Sequence, residues 1–156
     1  MSADEWQTLC RELRRSILGL RPQTEMGLVF FNETTVVFPA NSQPVAATND
    51  AKGRALIAID GVQPGSGTCL KEGLLNALEM VKKSEAERKV IVLLSDGKPT
   101  CPGTDFVTYR EEIFKVAKEG TKNGTEIHAL GIGSDVDESF LKRLASEKAG
   151  SYRRVV

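Results

Sequence analysis

An α/β domain, with a largely parallel sheet covered by helices on both faces, is the architecture this sequence predicts. Two observations carry it. The runs 90–94 (Val-Ile-Val-Leu-Leu) and 126–132 are short and apolar, the pattern of parallel strands buried on both sides. Stretches with apolar residues three and four apart alternate with such runs through the second half of the chain, which supplies the crossover helices a parallel sheet needs.

The elements follow in order. Ser2 and Glu5 have the spacing of a capping box, and Trp6, Leu9, Leu13, Ile17 and Leu20 then mark one face of an opening helix that Arg21-Pro22 ends. Residues 26–31 and 34–38 are β-branched and aromatic and are separated by Asn32-Glu33, so they predict a hairpin. Residues 41–48, with Pro44, predict a loop, and 50–59 a short helix weakened by Gly53. A glycine-rich turn over 61–67 leads to Thr68, just before or at the start of a helix whose face carries Leu70, Leu74, Leu78 and Val81. The strand 90–94 ends in Ser95-Asp96-Gly97 and a loop with Pro99, Pro102 and Gly103. Tyr109, Ile113, Val116 and Ala117 then mark a helix stopped near Gly120–Gly124. The strand 126–132, a helix over 137–145 and an edge strand over 151–155 complete the chain, with no internal repeat and no second domain in residues 1–156.

Composition bounds the function. The 156 residues can bury about two thirds of their open-chain surface, enough for one core. Lys plus Arg (21) balance Asp plus Glu (21), which excludes binding to nucleic acid or anionic membrane through bulk charge. The apolar runs are far short of the roughly 20 residues of a membrane span. Three cysteines (Cys10, Cys69, Cys101) are too few for a disulfide-stapled module, and acid rather than base follows Met1, so the cytosol is the default expectation. Cys69 and Cys101 accordingly read as free thiols, with a bridge between their loops as the alternative. No nucleophile beside a base, paired-carboxylate motif or Cys/His metal cluster is recognisable, and His128, the only histidine, lies mid-strand without a partner in sequence; a non-catalytic protein is expected. The Lys82-Lys83 and Arg153-Arg154 pairs read as solvated surface.

Ligands of open parallel sheets bind at the carboxyl ends of the strands, and two candidate groups fall there. Asp96 closes the 90–94 strand, and Thr68 opens a helix after a flexible loop. A carboxylate and a hydroxyl are hard oxygen donors suited to Mg²⁺. Thr68 as a helix N-cap and Asp96 as a turn former are the structural alternatives. A phosphate-binding loop is the sharper rival, but Gly67 stands where that motif needs lysine, Ser66 replaces its last glycine, and the loop follows a helix.

Taken together these residues resemble a von Willebrand factor A (vWA) domain across essentially the whole chain. Pro64-Gly-Ser-Gly-Thr68 is similar to that family's Gly-Gly-Thr loop, and the strand ending Ser95-Asp96-Gly97 to its Thr/Ser-Asp-Gly strand. Ile127-His-Ala-Leu-Gly-Ile-Gly133 with Phe140-Leu and Leu144-Ala resembles the next strand and helix, Ser151-Tyr152 and Val155 the last strand, and Met26-Gly-Leu-Val-Phe-Phe-Asn32 an early one. The resemblance implies a three-layer Rossmann-like fold with one antiparallel edge strand from the hairpin. It also implies a metal-ion-dependent adhesion site in which Mg²⁺ is held by Asp-x-Ser-x-Ser, a threonine and an aspartate. Thr68 and Asp96 match the last two roles. Asp-x-Ser-x-Ser occurs nowhere in the chain and no strand precedes the opening helix. Met1-Ser2 instead resembles the residues just after that motif, so a domain cut at an internal methionine, without its central first strand, is expected.

By resemblance the function is protein recognition, the acidic residue of a protein ligand completing the shell of a Mg²⁺ whose affinity for this chain alone is weak or nil. Ser66, Gly67, Gly97 and Asp105 would lie on the contact face. Asp105 reads either as an outer carboxylate of that face or as a helix N-cap. A metal-independent scaffold is the runner-up. The absent strand also raises the expectation of an oligomer in which another chain donates one.

Overall fold

A computed structural model describes residues 1–148 and 150–155. Helix α1 (Ala3–Leu18) starts at the expected capping box: the Ser2 N–H donates to Glu5 Oε2 at 2.7 Å and the Glu5 N–H to Ser2 Oγ at 3.2 Å. It ends on Gly19, so Leu20 lies beyond the helix it was expected to close. The strands β2 (Leu28–Phe31) and β3 (Thr35–Phe38) form the expected hairpin, with Leu28 opposite Phe38 and Phe31 opposite Thr35. Asn32 Oδ1 accepts the Thr34 N–H at 2.8 Å and closes the turn. The run 26–31, expected as one strand, is divided at Gly27: Met26 belongs to β1 (Glu25–Met26), which pairs antiparallel with β4 (Val45–Ala46), inside a segment expected to be loop. Two residues are too few for an alternation to register.

Helix α2 (Asn49–Asp60) is capped by Thr48, whose Oγ1 accepts the Ala51 N–H at 3.2 Å, and buries Ala51, Ala55 and Ile59 four apart. Helix α3 (Leu70–Lys82) lies on β2, and Gly73 allows it: a Cβ there would sit 2.6 Å from Phe31 Cδ1. The strand β5 (Val90–Ser95), helix α4 (Phe106–Gly120), strand β6 (Glu126–Ile132), helix α5 (Glu138–Ala145) and strand β7 (Tyr152–Val155) complete the order. Strands β5, β6 and β7 are parallel, with Val90 beside Glu126 and Ala129 beside Tyr152. The architecture is a three-layer Rossmann-like α/β arrangement whose strands form a parallel set, β5–β6–β7, and two antiparallel pairs, β2–β3 and β1–β4.

The hydrophobic interior has two parts. Leu70, Leu74 and Leu78 of α3, Ile91 and Leu93 of β5, and Ile113, Phe114 and Phe140 gather on one side. Ile17, Met26, Leu28, Ala55 and Ile59 gather between α1, α2 and the first strands. Strand β5 corrects one expectation, that it is buried on both faces. Ile91 and Leu93 are each 8% exposed, but Val90 is 38% and Val92 51% exposed. The α1–α2 cluster packs on β1, β2 and β4 and does not reach them. Among the described residues β5 is hydrogen-bonded only to β6, and β2 only to β3. No helix of the described residues is long and apolar enough to cross a membrane.

Candidate functional site

The carboxyl end of β5 is shaped by a tight turn. Buried Ser95 accepts the Gly97 N–H on Oγ at 3.0 Å, and Gly97 takes φ +83°. A Cβ on Gly97 would lie 3.0 Å from the Asp137 carbonyl and 2.9 Å from Leu141 Cγ, so only glycine fits between the turn and α5. The Asp96 carbonyl accepts the Asp137 N–H at 3.0 Å, and Asp96 Oδ1 accepts the Lys98 N–H at 3.2 Å. Asp96 is thus a turn former through one carboxylate oxygen. Among the described residues no side chain or backbone group hydrogen-bonds its Oδ2.

The second loop is fastened to the first. The Thr68 N–H donates to the Thr100 carbonyl at 2.7 Å, and the Cys69 N–H to the Asn32 carbonyl at 2.8 Å. Thr68, expected as a possible N-cap, is not one: Cys69 holds that position and its side chain makes no capping bond. Gly67 has φ +75°, and a Cβ on it would meet Glu33 Cγ at 2.6 Å. The Ser66 hydroxyl donates to Glu33 Oε1 at 2.7 Å, so the hairpin turn holds this loop from the other side. Asp105 caps α4, accepting the Thr108 N–H at 3.0 Å and its hydroxyl at 2.8 Å, and these bonds hold its carboxyl below the usual range. Asp105 is exposed, and its carboxylate serves the cap.

Cys69 and Cys101 correct the sequence reading: they form a disulfide with Cα atoms 4.6 Å apart. The free-thiol expectation rested on a count of three and an unsigned compartment. The fold brings the α3 entry and the β5 exit loop side by side, and a residue pair at that spacing meets the reach of the bond. Cys10 is the free cysteine among the described residues. A shallow open hollow beside the bridge is lined by Pro99, Thr100, Cys101, Pro102, Thr104 and Phe106.

The charges around Asp96 are mixed. Lys98 Nζ pairs with the Asp135 carboxylate, chiefly through a hydrogen bond that raises the ammonium pKa and lowers that of Asp135; Asp96 and Asp137 add to the rise. Midway along β6, level with Val92, His128 is not partnerless. Its Nδ1 lies 2.8 Å from Ser151 Oγ and accepts the Ser151 N–H at 3.1 Å, while Nε2 lies 3.4 Å from Glu126 Oε1. Glu126 Oε2 accepts from Arg88 Nε at 2.8 Å. The cluster ties the start of β7 to β6, far along the strands from Asp96.

For a hard cation the donors fit in kind and fall short in number. Asp96 offers a carboxylate and Thr68 a hydroxyl, whereas Mg²⁺ takes six oxygens in near-octahedral array. Among the described residues, Asp96 belongs to no group of three acidic, His or Cys side chains close enough to share an ion.

The family described as von Willebrand factor type A domain matches residues 1–156. The chain belongs to that family. This vWA domain is 30% identical over 152 residues to the inter-alpha-trypsin inhibitor heavy chain H2 of Sus scrofa, covering 92% of the chain and 16% of that protein. It is 26% identical over 162 residues to heavy chain H4 of Homo sapiens, covering 99% of the chain and 17% of that protein. The chain thus spans about one sixth of the curated relatives it matches. Among solved structures, the von Willebrand factor type A protein from Catenulispora acidiphila superposes with TM-score 0.83 at 18% identity, over 97% of this chain and 34% of that one. The manganese-loaded Plasmodium vivax TRAP protein superposes with TM-score 0.74 at 16% identity, over 98% and 63%. These two likenesses concern the fold.

Proposed function

We propose that this vWA domain is a non-catalytic recognition module whose contact face is the carboxyl edge of the sheet. Thr68 and Asp96 would contribute a hydroxyl and a carboxylate to a Mg²⁺, and an acidic side chain of a protein ligand would complete the shell. The bond from the Thr68 N–H to the Thr100 carbonyl carries this reading, because it ties the hydroxyl-bearing loop to the loop that begins at Asp96. Ser66, Gly67, Gly97 and Asp105, which share these loops with the two donors, would contribute to the contact face. A manganese-loaded relative in fold supports a divalent ion as the partner.

The cation supplies only charge and a coordination position for the ligand's carboxylate. What the chain does is hold two oxygens on loops braced by the Glu33, Thr100 and Asp137 bonds. With two side-chain donors, and the Lys98 ammonium nearby, affinity for Mg²⁺ alone is low, and ligand and ion bind together.

The test is retention of the chain on a resin displaying glutamyl carboxylates, in millimolar Mg²⁺ or in EDTA. Mg²⁺-dependent retention, lost in Asp96→Ala and in Thr68→Ala, is expected. Retention that EDTA leaves intact would establish the metal-independent scaffold instead. Micromolar Mg²⁺ binding by the chain alone in calorimetry, abolished by Asp96→Ala, would contradict the partial donor set.

A further inference from the structure

A chemically different cluster of side chains begins one residue beyond Thr68. The sulfurs of Cys69 and Cys101 and a carboxylate oxygen of Glu72 all lie within 4.8 Å of one another. Cys69 is buried, and Glu72 and Cys101 are half-buried. The carboxylate is not loose. Tyr109, 1% exposed, donates its hydroxyl to Glu72 Oε2 at 2.5 Å and itself accepts the Lys71 N–H at 3.0 Å. A carboxylate oriented by a buried phenol is the arrangement seen around metal ligands, where an outer partner fixes the ligand's direction. The Tyr109 hydroxyl engages only Oε2, so a carboxylate oxygen remains beside the two sulfurs.

We propose that Cys69, Cys101 and Glu72 form a redox-gated Zn²⁺ site, closed as the disulfide and opened by reduction. Two thiolates and one carboxylate are a zinc donor set, with the fourth tetrahedral position left to water. The soft sulfurs select against Mg²⁺ and Ca²⁺, so this site and the Thr68–Asp96 pair take different ions. Reduction by a phosphine cleaves the S–S bond and yields two thiols. Their two protons come from water, whose oxygen leaves on the phosphine as its oxide. Zn²⁺ then displaces both thiol protons to solvent. Binding requires the sulfurs to part to roughly 3.7 Å, as Zn–S bonds of about 2.3 Å at a tetrahedral angle dictate. Cys101 supplies that movement, since it sits on the exposed loop between β5 and α4, where Gly103 has open space around it. Tyr109 is a positioning residue that acts through Glu72.

Cobalt reports the site, because thiolate-to-Co²⁺ charge-transfer bands identify sulfur ligation and Zn²⁺ displaces the probe. The phosphine-reduced chain should bind one Co²⁺ with these bands and lose them to Zn²⁺ but not to Mg²⁺, and the oxidised chain should show none. Glu72→Gln, which keeps both cysteines, should weaken Zn²⁺ binding at least about tenfold, and Tyr109→Phe by about tenfold with the band positions unchanged. Cys10→Ser should change nothing. No bands in the reduced chain, bands that survive Cys101→Ser, or a Glu72→Gln affinity equal to wild type would each overturn the proposal. The Glu72→Gln arm remains decisive if the cysteine variants fail to fold, and Mg²⁺-dependent retention through Asp96 is read separately.

Discussion

Removing the Cys69–Cys101 bridge should cost this domain a large part of its stability. The bond joins residues 32 apart in sequence. Closing a loop of that length removes about 12 cal/mol/K from the unfolded chain, or about 3.7 kcal/mol at 25 °C. A domain of this size has on the order of 5–15 kcal/mol in hand, so the bond decides between a sturdy and a marginal fold. The loss should also be localised, because the bridge supplements the Thr68–Thr100 and Cys69–Asn32 hydrogen bonds that hold the two loops. The assay is urea unfolding in EDTA, comparing wild type with a Cys69→Ala, Cys101→Ala double variant and with the reduced wild type. With a slope of about 2 kcal/mol per molar, the midpoint should fall by nearly 2 M. Thermal midpoints should drop by roughly 7–15 °C. A loss below about 1 kcal/mol, with unchanged slope in both comparisons, would refute the reasoning and mean that the loops stay together without the bond.

Three further outcomes are expected. Gly73→Ala should destabilise by about 1–3 kcal/mol in the same assay, because the new methyl meets Phe31 Cδ1 at 2.6 Å and outweighs alanine's helix preference of about 1 kcal/mol; a neutral result would show that Phe31 swings aside. Burial, followed by the Glu72 hydrogen bond, raises the Tyr109 pKa, so its contribution is whole below the unfolded tyrosine value near 10 and is lost as pH climbs beyond it. Unfolding measured from pH 8 to 11 should show a decline that Tyr109→Phe reduces, the remainder belonging to Tyr152, Lys71 and Lys98, whose pKa values are also raised; an unchanged decline would refute the Tyr109 share. Hydrogen exchange should be fast on β2 and β5 amides that face away from β3 and β6, since each strand has only one hydrogen-bonded neighbour among the described residues; uniform protection along β5 would show that another chain covers that edge.

Legibility followed the range of the interaction. Capping boxes, Asx turns and helical stripes are made between residues a few positions apart, so the Ser2–Glu5 box, the Asn32 turn, the Asp105 cap and the Leu70–Leu74–Leu78 face could be seen in the letters. The candidate donors Thr68 and Asp96 were visible for the same reason: each sits where a helix begins or a strand stops. The two-residue strands β1 and β4 were not, because their pairing joins residues about twenty apart without any periodicity of their own. The burial of β5 was misjudged because an apolar run states what a strand tolerates, and only packing states what covers Val90 and Val92.

Apart from the short pair β1 and β4, the order of helices and strands, and the family they spell, were therefore settled by local pattern, since backbone preference and side-chain period act within single elements. Which distant groups meet was settled by tertiary structure alone. Cys69 with Cys101, Tyr109 with Glu72, and His128 with Ser151 and Glu126 owe their contacts to how α3, α4 and the strand ends stack. For all but the two-residue step to Glu126, that encounter spans more than twenty residues of chain, and no spacing rule encodes it.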